Sequence, residues 1–158
     1  MPHITPHLWV DGTAEEAAQF YCSIFPNSRI LSVNRAPMDN PSQPAGAVLY
    51  VEFELDGTRF TALNGGPLFR FNEAVSFQID CADQAEVDHY WDRLTEGGEE
   101  SQCGWLKDRY GLSWQVVPQR LGELLSSPDR DAARRAGEAM LGMKKLDITA
   151  LEQAASGR

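Results

Sequence analysis

The sequence predicts an α+β protein made of two βαβββ modules, with curved mixed sheets around a cavity, followed by C-terminal helices. Three observations carry this. Strictly alternating apolar segments mark half-buried strands. A capping-box pattern at Thr13–Glu16 recurs at Asp83–Glu86, and an aromatic pair follows each, Phe20–Tyr21 and Tyr90–Trp91. After Pro118 the pattern changes to helical stripes alone.

The first strand is expected from His3 to Val10, with Ile4, Leu8 and Val10 on one face and Thr5, His7 and Trp9 on the other. Asp11-Gly12 makes a loop. Thr13 then caps a helix with Ala17, Phe20, Tyr21 and Ile24 on its apolar face, and Pro26-Asn27 stops it. Ser28 to Arg35 reads as a strand. Pro37, Pro41 and Pro44 make residues 36–46 a loop, expected to be mobile. Ala47, Leu49, Val51, Phe53 and Leu55 alternate as a half-buried strand. Asp56-Gly57 turns it into a partner from Arg59 to Asn64, and Gly65-Gly66-Pro67 ends the module.

The second module repeats this order about 70 residues later. Val75, Phe77 and Ile79 alternate, Asp83 caps a helix bearing Val87, Tyr90, Trp91 and Leu94, and Gly97-Gly98 ends it. Strands follow near Glu100 to Cys103, Trp105 to Asp108 and Leu112 to Val117, with a turn at Tyr110-Gly111. The modules are placed at about 3–66 and 74–118, inside a domain of residues 1–118. Each has one sheet face that it cannot bury alone. Two such faces, within a chain or across a dimer, can close around a cavity. Residues 119–158 form a helical tail, with Ser127 as N-cap before Pro128 and Asp147 capping the last helix. Its stripe of Ala132, Ala136, Ala139, Met140 and Met143 is expected to pack on the same domain or on a partner subunit.

Composition narrows the function. Hydrophobic residues make up 42% and charged residues 23%, the mix of a globular domain. The formal net charge of -9, with basic pairs only at Arg134-Arg135 and Lys144-Lys145, argues against a nucleic-acid partner. No apolar run approaches the ~18 residues of a membrane span. Cys22, Cys81 and Cys103 are far apart and odd in number, which predicts reduced thiols and a cytoplasmic location.

The segments ITPHLWVDGTAEEAAQFYCSIFPNS, VEFELDGTRFTALNGGP, AEVDHYWDRLTEGGE and CGWLKDRYGLSWQVVP resemble the PhnB-like family of the vicinal oxygen chelate superfamily. The resemblance runs from Ile4 to about Leu151 and implies the glyoxalase/bleomycin resistance-like fold, a homodimer, and a small-molecule site inside the curved sheets. Many relatives carry the label demethylubiquinone methyltransferase. A methyltransferase that binds S-adenosylmethionine shows a glycine-rich loop after the first strand of a parallel sheet, whereas Asp11-Gly12 offers one glycine in a turn. That activity is therefore disfavoured.

Metal-dependent members of the superfamily hold a divalent ion with His and Glu. Here the matched positions are Thr5, Ala74 and Gln115, which supply neither imidazole nor carboxylate. His7, two residues on and on the same face as Thr5, is the one imidazole a shift of register would bring in. No metal site and no cofactor are expected. The expected ligand cavity comprises Thr5, His7, Trp9, Asn64, Gln78, Trp105 and Gln115: aromatic area with neutral hydrogen-bonding groups. Each has a plainer reading. Trp9, Trp105 and Trp114 also suit core packing, and His7 a structural imidazole. Lys107, Asp108 and Arg109 read as a solvated turn.

Three functional readings stand. One is metal-independent binding of a small molecule. Another is a metal-dependent or His-assisted isomerase, lyase or transferase, with His7 as the catalytic base. The third is a scaffold that recruits a protein partner through its helical tail.

Overall fold

The computed structural model describes residues 1–158. Two βαβββ modules and a helical tail are present, and the chain divides into two compact units, Met1–Phe71 and Asn72–Arg158. The tail belongs to the second unit.

In the first unit, β1 (His7–Val10) leads into α1 (Ala14–Ile24), then β2 (Arg29–Arg35), β3 (Val48–Leu55) and β4 (Thr58–Asn64). The sheet order is β1-β4-β3-β2, with β1 parallel to β4 and the other pairs antiparallel. Asp56 and Gly57 both have positive φ, 45° and 84°, the conformation that a tight two-residue hairpin needs and that Asp-Gly supplies. Alternation puts Leu8, Val10, Val51, Phe53, Phe60 and Ala62 in the core. There Tyr21 of α1 stacks on Phe53 at 6.2 Å, and Phe53 on Phe60 at 5.5 Å. The other face carries His7, Trp9, Tyr50, Glu52, Thr61 and Leu63 in register.

The second unit repeats the design with β5 (Ser76–Cys81), α2 (Gln84–Thr95), β6 (Glu99–Glu100), β7 (Trp105–Lys107) and β8 (Ser113–Pro118), in sheet order β5-β8-β7-β6. Trp91 and Leu94 fill the places that Tyr21 and Ile24 hold in the first unit, and all four are buried. The tail forms α3 (Gln119–Leu125), α4 (Arg130–Leu141) and α5 (Ile148–Ser156) around Leu121, Leu124, Ala136, Leu146, Leu151 and Ala155. Gln84 of α2 binds it twice, donating to the Leu146 carbonyl at 3.0 Å and accepting from the Ile148 amide at 2.9 Å.

Several local expectations need correction. β1 begins at His7, not His3, so Thr5 precedes the strand and Ile4 is fully exposed. Thr13 makes no side-chain cap; the Ala14 amide donates instead to Asn64 Oδ1 at 2.8 Å. In the second module Asp83 does cap, accepting from the Glu86 amide at 2.9 Å. Asp129, not Ser127, caps α4, by accepting from the Ala132 amide. Residues 36–46 form the expected loop, in which Asn40 Oδ1 accepts from the Ser42 and Gln43 amides and Asp39 Oδ1 from the Ala45 amide. Asp108 is not solvated. It is 3% exposed, and its carboxylate accepts from the Tyr110 and Leu112 amides and from Trp114 Nε1.

Candidate functional site

A cleft of about 780 Å³ opens on the first unit beside Trp9. Its floor combines Trp9 of β1 with Leu63, which lies opposite it on β4. Pro41 and Ser42 of the 36–46 loop, Gly65 to Leu68, and Asp11 complete the lining. The lining is mainly apolar with a few polar groups, the usual make-up of a small-molecule site.

Trp9 is held on three sides. Its Nε1 donates to the Gly66 carbonyl at 2.9 Å. The Phe69 ring meets it edge-on at 5.0 Å. Gly65 lies so close that a Cβ built there would stand 2.3 Å from Trp9 Cε2. A glycine is required because backbone and indole occupy the space of a side chain. The indole is thereby fixed before any ligand arrives, which lowers the ordering cost of binding.

The remaining expected site residues fall into separate places. His7 is exposed on β1, two residues before Trp9 and on the same face, but does not line the cleft. Thr5 is exposed ahead of the strand. Asn64 is not on the open face. It is 6% exposed and points to the helix side, where it accepts from Ala14 and donates to the Val48 carbonyl at 2.9 Å. In the second unit Gln78, Gln115 and Trp105 form one row across β5, β8 and β7. Gln115 Nε2 donates to Ser76 Oγ at 2.9 Å, and Gln78 Nε2 to Asp80 Oδ1 at 2.8 Å. Trp114, buried at 3%, is a core residue.

Cleft residues outside the expected set are Asp11, Pro41, Ser42, Leu63, Gly65, Gly66, Pro67 and Leu68. Leu63 was within reach, because alternation along β4 puts it on the face opposite Ala62 and Asn64. The loop residues carry no local signal. A smaller cleft of about 140 Å³ on the second unit is lined by Glu73, Glu99, Trp105, Lys107 and Ser113 among others. There Glu73 and Lys107 form an ion pair that holds the carboxyl below its ordinary range and the ammonium above its own, chiefly through their mutual hydrogen bond.

No group of three or more His, Cys, Asp or Glu side chains is placed to hold a metal ion. Thr5 and Ala74, two of the matched metal positions, lie outside the strands, and Gln115 is bonded to Ser76. No helix is long and apolar enough to cross a membrane.

Comparison with known proteins now bears on this geometry. Residues 2–117 match the family model described as 3-demethylubiquinone-9 3-methyltransferase. The match stops short of Leu151, so α3–α5 lie beyond it. A PhnB protein from Bacillus cereus is 32% identical, with a TM-score of 0.67 over 74% of this chain and 99% of that one. A Pseudomonas aeruginosa protein shares the fold at 17% identity and a TM-score of 0.62, over 75% of this chain and 98% of that one. Curated proteins give no significant match. With the family model spanning well over half its length and the βαβββ repeat in both units, the chain belongs to the PhnB-like, 3-demethylubiquinone-9 3-methyltransferase family.

Proposed function

We propose that this protein binds a small, planar, largely apolar molecule in the cleft beside Trp9, without a catalytic metal. The observation that carries the reading is the fixed indole, packed on Gly65 and facing an apolar cleft of about 780 Å³. A preformed aromatic platform favours flat ring systems, and Asp11 and Ser42 in the lining add polar groups that orient them. Thr5, Ala74 and Gln115, at the positions where metal-dependent relatives need imidazole or carboxylate, support a metal-independent role. The family description names a methyltransferase. The single-glycine turn after β1, a strand whose one partner is β4, supports a role other than methyl transfer from S-adenosylmethionine. The same reading takes the protein as a cytoplasmic homodimer.

The test is a thermal-shift panel of planar aromatic metabolites against wild type and Trp9→Ala. A ligand at about 100 times its Kd stabilises by ~2.7 kcal/mol, a shift of several degrees. At least one compound is expected to raise the melting temperature of wild type and to leave Trp9→Ala unmoved. No shift from any compound, or equal shifts in both proteins, contradicts the proposal. Any turnover found is then compared with that of His7→Ala, which tests the catalytic alternative.

A further inference from the structure

The second unit carries an unassigned site of different chemistry. Ser76, Ser113, Lys107 and Glu99 form one row across β5, β8, β7 and β6, on the face opposite the buried Trp114 and Leu106. Ser113 is completely buried, and its Oγ has no hydrogen-bond partner. Buried hydroxyls are almost always paired, so an orphan one at the base of a cleft marks a place for a ligand atom. The cleft above it, about 140 Å³, has Trp105 as a wall and Glu73, Glu99 and Glu100 against the single cation Lys107. Lys107 is already paired with Glu73. Glu100 accepts from Trp91 Nε1 with one oxygen. The site therefore has an excess of negative charge, an unused hydroxyl and an aromatic wall.

We propose that this cleft binds the primary ammonium group of a small organic cation. An N–H of the ammonium donates to Ser113 Oγ, a second to the Glu99 carboxylate, and the Trp105 ring faces the charge. The volume equals roughly four or five waters at ~30 Å³ each, enough for the ammonium and a few carbons. The flexible Lys107 side chain, next to Ser113 in register, is the part that gives way on entry. A bare divalent ion is disfavoured, because no three carboxylate, imidazole or thiolate groups converge here.

The test is a ¹H–¹⁵N NMR titration of the full chain with n-propylammonium chloride at constant ionic strength, with magnesium chloride and tetramethylammonium chloride as comparisons. Saturable shifts are expected at the Ser113 amide and the Trp105 indole with propylammonium alone. They weaken at least fivefold in Glu99→Gln and in Ser113→Ala. Glu99 is exposed, so Glu99→Gln reports even if the Ser113 variant misfolds. Shifts that are linear in concentration, that are unchanged in Glu99→Gln, or that arise equally with magnesium or tetramethylammonium overturn the proposal.

Discussion

Replacing Gly65 by alanine places a methyl group inside the indole of Trp9. The new Cβ would stand 2.3, 2.4 and 2.6 Å from three ring atoms. Carbon atoms rest at ~3.5–4.0 Å, so the ring must retreat by roughly 1 Å or more. It has little room, because Nε1 is tied to the Gly66 carbonyl at 2.9 Å and Phe69 closes one edge. Losing that hydrogen bond costs about 1 kcal/mol, and overpacking adds ~1–3 kcal/mol. The stiffer unfolded chain returns ~0.4–1 kcal/mol, which leaves a net loss of about 2 kcal/mol. The assay is urea unfolding followed by circular dichroism, with the Trp9 indole resonance as a local probe. Gly122→Ala is the control: its Cβ meets nothing within 4 Å, so it is neutral or gains up to ~1 kcal/mol as a better helix former. If Gly65→Ala unfolds within 0.5 kcal/mol of wild type, or leaves the indole resonance in place, the argument that Gly65 seats Trp9 is wrong.

Asn64→Ala removes the partner of the Ala14 amide and of the Val48 carbonyl, both in or beside the core. Two lost bonds at a buried site predict a loss of roughly 2–3 kcal/mol in the same urea assay, and a loss below ~0.5 kcal/mol would contradict the capping role. Burial, followed by the nearby carboxylates of Glu86, Asp80 and Asp83, pushes the Cys81 thiol up to about 12. Iodoacetamide at pH 8 should therefore leave Cys81 unmodified in folded protein and react with all three cysteines in urea, as mass spectrometry of the digests reads directly. The sign for stability follows. Above the free-thiol value of ~8.5 the unfolded chain loses this proton while the folded chain keeps it, so Cys81 favours unfolding increasingly as pH rises toward about 12.

Much of the fold is legible because its signals are local. Alternation along residues 47–55, the Asp-Gly turn and the aromatic pairs after each cap each occupy a short stretch of chain, and both modules follow from them. The failures share a cause. Thr13 has the right local pattern for a cap but makes no side-chain cap hydrogen bond; the side chain that accepts at this helix start is Asn64, 50 residues from the Ala14 amide it binds. Asp108 looks like a turn carboxylate until the fold brings Trp114 Nε1 to it. As a neutral hydrogen-bonding side chain Asn64 suits the ligand face, whereas its register opposite Val10 puts it on the helix side. The Trp9 cleft joins residues 9, 11, 41, 42, 63 and 65–68, so its shape is a property of the folded unit and of no single segment. Trp9 itself was visible as an open-face aromatic. Its fixation by Gly65 was not.

The most direct test of the central claim is native mass spectrometry of protein purified without a metal-affinity tag, wild type beside Trp9→Ala. The account predicts a dimer whose chains each carry one organic adduct, absent from the variant. A stoichiometric divalent ion with no organic mass, or an adduct that Trp9→Ala retains in full, would contradict it.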